Sequence, residues 1–217
     1  MAVQEMTRTG RGGALRAPAP PGAGGDPPPG GHDAADLAGR ISRLSEGRGG
    51  VLLVEGAPGA GKSRLVREAR TIAETLALRV MSGAGERGRE GVPFGVLLRA
   101  LGSGGRPVVD AGLLRTLSES VEQRFWLYRA LREQLRQAAL DRPLLVAIDD
   151  LQWCDDGTLH ALRALPAGPS ADAILWLVAV RTGARDAGVR STVAELTEIG
   201  AHTSVDSVRI HLERAAR

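Results

Sequence analysis

The sequence of 217 residues predicts an α/β protein, a three-layer αβα sandwich in which helices cover both faces of a mostly parallel sheet. Two observations favour this class. Short runs that are apolar on both faces alternate with longer segments whose apolar residues recur every three or four positions. The apolar content of 43% and the charged content of 24% are typical of a globular domain with a substantial core.

The chain divides into three expected segments. Residues 1–31 are rich in Gly, Pro and Ala, and we expect them to be disordered because they bury too little surface to offset the entropy of ordering. Residues 32–206 are expected to form the folded domain. Residues 207–217 are expected to form a helical C-terminal tail.

Helices and strands are predicted in alternation along the folded domain. Helices are placed where apolar residues recur at helical spacing, and strands where a short run is continuously apolar. In chain order we predict a helix over 33–47, a strand over 51–55, a helix from 61 onward, a strand within 78–85, helices over 94–102 and 118–140, a strand over 143–150, a helix over 155–166, a strand over 173–181, a helix over 189–200 and a further strand over 201–205.

The stretch GAPGAGKS, Gly56–Ser63, fits the pattern G-x-x-x-x-G-K-[ST] of a phosphate-binding loop. It follows a predicted strand and precedes a predicted helix, which is the context that the pattern requires. Small residues let main-chain N–H groups wrap around phosphate oxygens, and the helix N-terminus directs further amides at the same anion. The predicted nucleotide-binding residues are Gly56, Ala57, Pro58, Gly59, Ala60, Gly61, Lys62, Ser63 and Arg64.

Lys62 is the only lysine in the chain, and every other residue among the 28 Lys and Arg is an arginine. A compact ammonium on a flexible stem can follow the β- and γ-phosphates within a tight loop, whereas the wider planar guanidinium does so less well. Ser63 is expected to ligate Mg²⁺. The loop therefore predicts that a nucleotide and Mg²⁺ are the cofactors.

Two later strands are predicted to end in charged residues. Asp149 is expected to hold Mg²⁺ and Asp150 to orient or deprotonate the attacking water, or else the pair merely caps the following helix. Arg181 ends the next buried strand, where it either senses the γ-phosphate or remains a solvated arginine. The predicted catalytic residues are Asp150, Lys62 and Arg181, and the predicted metal ligands are Ser63 and Asp149.

Other residues have structural interpretations. Asp155 and Asp156 are expected to cap a helix, and the only cysteine, Cys154, is expected to be inert in a reducing cytosol.

The net charge of +3 does not by itself indicate nucleic-acid binding, and no apolar run is long enough to span a membrane. We therefore expect a cytoplasmic protein. All three tryptophans are expected in the core: Trp126, Trp153 and Trp176.

Four stretches resemble the N-terminal ATPase domain of large ATP-binding LuxR-family regulators, which are signal-transduction ATPases with numerous domains and relatives of AAA+ proteins. The stretch DDLQW is the most specific, and the resemblance covers about residues 31–201. It implies a P-loop NTPase fold with Gly56–Ser63 as phosphate loop, Asp149 and Asp150 as acidic pair and Arg181 as sensor. The stretches are GAPGAGKSRLVREA, PFGVLLRAL, LLVAIDDLQWCDDGTLHALRAL and LWLVAVR.

The resemblance further implies that ATP acts as a slow switch in transcriptional regulation, with hydrolysis resetting a signalling state. His32 stands where the family usually has arginine, and the sequence near the C-terminus does not match the lid that follows in the family. We expect a truncated or stand-alone module with no DNA-binding element, whose partners are ATP and either a second copy or a regulatory protein. The alternatives are a phosphotransferase, with Gly85–Glu90 as its basic lid, and a non-hydrolysing interaction module.

Overall fold

A computed structural model describes residues 31–91, 93–103, 108–109, 124–166, 172–204 and 209–211. The tail expected over residues 1–31 lies outside these ranges, except for Gly31, which begins the first helix. The predicted start of a helix at residue 118 also lies outside them. No helix among the described residues is both long enough and apolar enough to cross a membrane.

The described residues form six strands and six α-helices, and a short 3-10 turn follows the third strand. In chain order they are α1 (Gly31–Ser45), β1 (Gly50–Gly56), α2 (Lys62–Thr75), β2 (Arg79–Ala84), α3 (Gly95–Gly102), α4 (Arg124–Asp141), β3 (Leu144–Asp149), the 3-10 turn (Leu151–Trp153), α5 (Asp156–Ala164), β4 (Ile174–Arg181), α6 (Ala187–Ile199), β5 (Ala201–Ser204) and β6 (Arg209–His211).

The strands form one sheet in the order β2-β3-β4-β1-β5-β6. The first five strands of that order are parallel, and β6 pairs antiparallel with β5. Strand β1 therefore lies between β4 and β5. Its carboxyl end lies near the middle of the edge at which the parallel strands end. Register places Gly56 opposite Arg181, so the ends of β1 and β4 are level.

Two apolar cores cover the two faces of the sheet. Helices α1 and α2 bury residues such as Leu44 and Ala69 against one face. Helices α3, α4, α5 and α6 bury residues such as Leu97, Leu135 and Leu196 against the other. Because β1, β3 and β4 are covered on both sides, their side chains are mostly apolar on both sides, as in other parallel sheets. The predicted α/β class with its mostly parallel sheet is confirmed.

The C-terminal tail differs from the prediction. Within the expected helix over 207–217, residues Arg209–His211 form strand β6, and the rest of that segment lies outside the described residues. Its register partners are on β5, Thr203 opposite Ile210 for example. Without β6, the outer side of β5 would present a row of free N–H and C=O groups, and pairing satisfies them.

The expectation of three core tryptophans holds only for Trp176, which is buried in β4. Trp126 is 64% exposed, and the guanidinium of Arg129 lies 5.7 Å from its ring centroid. Leu135, which is buried, follows Trp126 by nine residues, or about two and a half helical turns. The two side chains therefore lie on opposite sides of α4, and Trp126 faces solvent. Trp153 is half-buried, with the Arg87 guanidinium 5.5 Å from its ring centroid.

Asp155 caps two helices at once. As predicted, it is the N-cap of α5, where Oδ1 accepts a hydrogen bond from the Thr158 amide at 2.8 Å. The same oxygen also accepts from the Phe94 amide at 2.6 Å, at the start of α3. Oδ2 accepts from the Thr158 hydroxyl at 2.7 Å and the Val96 amide at 3.4 Å. Helix α3 has no cap of its own, so its first turn depends on this buried carboxylate.

Replacement of this carboxylate is expected to destabilise the domain. Asp155→Asn keeps the size of the side chain but exchanges one acceptor oxygen for an NH₂ donor, which leaves buried amides unsatisfied. We expect the free energy of unfolding to fall by about 2–4 kcal/mol, measured by urea denaturation followed by circular dichroism.

The control for this measurement is Asp156→Asn, at the exposed neighbouring position in the first turn of α5. It removes one charge near the helix N-terminus and should cost less than about 1 kcal/mol. Equal losses in the two variants would show that Asp155 acts only through its charge.

Candidate functional site

The loop between β1 and α2 turns sharply at two glycines. Gly59 has a φ of 81° and Gly61 a φ of 100°, which are left-handed conformations that residues with a Cβ adopt at a cost. A hydrogen bond from the Ala60 amide to the Ala57 carbonyl, 3.2 Å long, closes the intervening turn. Gly59 and Gly61 of the predicted phosphate loop are therefore required by its backbone path.

Several main-chain amides of this loop have no acceptor among the described residues. The N–H groups of Gly59, Gly61, Lys62 and Ser63 form no hydrogen bond there, and Gly61 caps α2 without a side-chain contact. Free amides at the start of a 14-residue helix, with the positive end of its dipole, form a site for an anion.

Lys62 is buried and has no counter-ion in the part of the chain that the structure describes. Its Nζ donates hydrogen bonds to the carbonyl oxygens of Gly56 and Ala57, both at 2.7 Å, and the residue is 7% exposed. No carboxylate among the described residues forms a salt bridge with it. An ammonium has three N–H donors, so one of them remains for a further acceptor. A buried cation that lacks an opposite charge is costly, and an anion in the loop would remove that cost.

Arg181 lies level with the first residue of the loop. It is the register partner of Gly56, and the Thr182 amide that follows it donates to the Gly56 carbonyl at 3.0 Å. Its side chain is exposed and forms no salt bridge with a described carboxylate. The register thus places the backbone of Arg181 beside the start of the phosphate loop, and its side chain is exposed there.

Asp149 and Asp150 lie at the same edge of the sheet, at the end of β3. The Asp149 Oδ1 accepts from the Asp150 amide at 2.8 Å, and Asp150 has a φ of 52°. Aspartate tolerates this left-handed conformation better than most residues, and such residues often lie at functional sites. The alternative in which this pair caps helix α5 is wrong, because Asp155 is that cap.

Gln152 connects the acidic pair to β4, a role that the sequence reasoning missed. Its side-chain oxygen accepts from the Arg181 amide at 3.0 Å, and its Nε2 donates to the Asp150 Oδ1 at 2.7 Å. The Arg181 N–H group fixes the orientation of the Gln152 side-chain amide, because only the oxygen of that side chain can accept a hydrogen bond. The only sequence signal was a polar residue inside the otherwise apolar turn of DDLQW.

Ser63 and Asp149, the predicted metal ligands, border one open cavity of about 310 Å³. A hydroxyl and a carboxylate are the oxygen ligands that Mg²⁺ takes from proteins in nucleotide sites, with phosphates and water completing its shell. The residues at this position therefore fit the metal that the sequence predicts.

The segment after β2 packs closely on the acidic pair. The Gly85 amide donates to the Asp149 carbonyl at 2.9 Å, and a Cβ at Gly85 would lie 2.3 Å from the Asp150 carbonyl oxygen. Cys154 is buried beneath this contact. Its burial, with the nearby Asp155 carboxylate, raises the pKa of the Cys154 thiol, which therefore stays protonated at neutral pH.

Comparison with known families identifies the domain. A family model described as the AAA ATPase domain matches residues 31–178. The matched range begins with α1, contains the phosphate loop and the acidic pair, and ends within β4, three residues before Arg181. This match confirms the ATPase domain that the resemblance implied, while the LuxR-type regulator remains an expectation. No curated protein gives a significant match.

The buried thiol gives a test of this part of the site. At pH 8 we expect Cys154 to react with Ellman's reagent at least about 100-fold more slowly in the native protein than in urea, because only the exposed thiolate attacks. The raised pKa and the burial of the thiol both slow its reaction with the reagent. Absorbance at 412 nm measures the rate, and the chain has no other cysteine to contribute.

A Ser42→Cys variant, at an exposed position of α1, provides the fast-reacting control in the native state. Native labelling of Cys154 as fast as that of the introduced thiol would contradict the packing of Gly85 on the acidic pair.

Proposed function

We propose that this chain, which belongs to the AAA ATPase domain family, binds ATP with Mg²⁺ and hydrolyses it slowly as the switch of a transcriptional regulator. The observation that carries the proposal is the buried ammonium of Lys62, which has two carbonyl partners and no described counter-ion. A polyphosphate is the ligand that would satisfy this ammonium and the free amides next to it together.

The phosphate chain of ATP would lie along the loop. The amides of Gly59, Gly61, Lys62 and Ser63 supply hydrogen bonds to its oxygens, and Lys62 supplies the positive charge. Since these main-chain amides have no acceptor among the described residues, binding does not require any hydrogen bond of theirs to such a residue to be broken. Preorganised donors of this kind increase affinity because little is lost on ordering them.

Ser63 and Asp149 would hold Mg²⁺, which, when bound, neutralises charge between the β- and γ-phosphates. The two residues come from different elements, the first turn of α2 and the end of β3, and both border the same cavity. The Asp149 Oδ1 accepts from the Asp150 amide, and the other carboxylate oxygen would bind the metal.

Asp150 would accept a proton from the water that attacks the γ-phosphorus, while the bond from that phosphorus to the bridging oxygen of ADP breaks. Gln152 holds Asp150 from the side of β4 and leaves the second carboxylate oxygen for the water. Arg181 would stabilise negative charge on the transferred phosphoryl group. Water is the phosphoryl acceptor in this proposal, so the products are ADP and phosphate.

The phosphotransferase alternative is less well supported by the contacts of Gly85–Glu90. Arg87 stacks on Trp153, and Arg89 forms an exposed salt bridge of 3.1 Å with Glu86. Both basic groups of the expected lid thus have partners within the domain. Hydrolysis of ATP needs no lid to hold a phosphoryl acceptor, because the acceptor is water. We therefore favour the hydrolytic switch over the phosphotransferase.

Exchange of Lys62 tests the ATP site. We expect Lys62→Ala to weaken Mg-ATP binding by about 10- to 100-fold, since a hydrogen bond to a charged group contributes about 1.5–3 kcal/mol. Lys62→Arg should weaken it by a similar factor, because the guanidinium cannot donate to Gly56 and Ala57 and to a phosphate within the same space. Isothermal titration calorimetry measures the dissociation constants.

The matched control is Arg43→Lys, an exchange in the opposite direction at an exposed position of α1. It should leave the affinity unchanged. Undiminished affinity in Lys62→Ala would reject the proposed ATP site, and retained partner binding by that variant would favour the interaction module.

The role of Asp150 is tested by turnover. Asp150→Asn should lower kcat for ATP hydrolysis by about 100-fold, the usual size of the contribution of a general base, with less than about a threefold change in affinity. Phosphate release measured in a single turnover detects slow rates. Asp156→Asn, an exposed carboxylate on α5, is the control and should hydrolyse ATP at the wild-type rate.

Gln152 should behave as a positioning residue in the same assay. Gln152→Ala frees the Asp150 carboxylate and should lower kcat by about tenfold while KM changes little. Gln152→Glu retains the acceptor for the Arg181 amide but replaces the donor to Asp150 by a second carboxylate, so kcat should fall as well. Normal kcat in both variants would mean that the contact has only a structural role.

A further inference from the structure

The cavity that Ser63 and Asp149 border extends away from the phosphate loop. It continues between α2 and the end of β2, and Arg67, Arg70 and Ser82 also line it. Ser63, Arg67 and Arg70 are four and three residues apart, so they lie along one face of α2. With a rise of about 1.5 Å per residue, Arg70 lies about 10 Å further along the helix than Ser63.

Strand β2 contributes its polar side to this cavity. A Cβ at Gly83 would lie 2.7 Å from the Val96 carbonyl on α3, so position 83 faces α3. Since side chains alternate along a strand, Ser82 and Ala84 face the opposite side, toward α2. The wall across from the two arginines is therefore a serine flanked by small residues.

Neither arginine has a carboxylate partner among the described residues. The Arg70 Nε is buried and has no described hydrogen-bond partner. Arg67 uses its Nε for a bond of 3.2 Å to the Ser63 carbonyl, and its terminal nitrogens have no described acceptor. The guanidinium groups of both arginines thus have terminal N–H donors with no described acceptor, and those donors are available to a ligand in the cavity.

We infer that this cavity binds a small phosphate-bearing ligand next to the Mg-ATP site. Guanidinium forks match phosphate oxygens in geometry, and two arginines balance the two charges of a phosphate monoester. The whole cavity has a volume of about 310 Å³, at the lower end of the range for small-molecule sites, so the part beyond Ser63 and Asp149 is suited to one small phosphate-bearing group. The inference rests on the proposed function, because Ser63 and Asp149 border both sites.

This ligand is distinct from the γ-phosphate of ATP. Phosphates bound by the loop lie at the first turn of α2, where the free amides are, whereas Arg67 and Arg70 lie about one and two turns further along. A single phosphate group on the loop cannot contact the loop amides and Arg70 together. The second anion would therefore occupy the outer part of the cavity, on the far side of Ser63 and Asp149 from the loop.

Inorganic phosphate serves as the probe for this subsite. The protein is first saturated with Mg-AMP-PNP, which fills the phosphate loop, and phosphate is then titrated by calorimetry. We expect saturable binding to the loaded wild type. Arg67→Gln and Arg70→Gln should each weaken it at least tenfold, with unchanged AMP-PNP affinity, while Arg43→Gln on the exposed face of α1 should not.

The outcomes separate this inference from the proposed function. Failure of the wild type to bind AMP-PNP in the loading step would reject the proposed function. Normal loading with no phosphate binding, or phosphate binding that is equal in wild type and in both α2 variants, would overturn the subsite alone. Arg67 is exposed, so its variant tests the inference even where Arg70→Gln fails to fold.

Discussion

The carbonyl oxygen of Gly56 is the contact on which the arrangement of the site depends. It accepts hydrogen bonds from the Lys62 ammonium at 2.7 Å and from the Thr182 amide at 3.0 Å. One oxygen thus fixes the end of β1, the first residue of α2 and the residue that follows β4. Because Arg181 is level with Gly56, its amide lies where Gln152 can reach it and hold Asp150. A shift of one residue between β1 and β4 would break this series of contacts.

The same arrangement explains the single lysine. A guanidinium at position 62 would have to direct its planar donors at the carbonyls of Gly56 and Ala57 and at a phosphate on another side. An ammonium has tetrahedral donors on a flexible stem, so it can use two for the loop and keep the third. In a chain whose other basic residues are arginines, the exception coincides with the only described base that is buried among main-chain oxygens.

The parts of the structure that the sequence could predict depend on neighbours along the chain. The parallel strands, the loop glycines and the Asp155 cap of α5 follow from local patterns of apolar residues, small residues and caps. The second cap, of α3, joins Asp155 to Phe94, which is 61 residues away, and no local pattern marks such a pair. Gln152, the position of Trp126 on the solvent side of α4 and the pairing of β6 also depend on which elements become neighbours in space.

The double cap at Asp155 has a mechanical consequence. Asp155 follows the acidic pair by only five residues and joins the starts of α3 and α5, so these helices cannot separate without exposing buried amides. A displacement of Asp155 would therefore disturb the first turns of both helices together. These helices lie on the opposite side of the sheet from the phosphate-loop helix, so one side chain joins the acidic end of β3 to this outer layer.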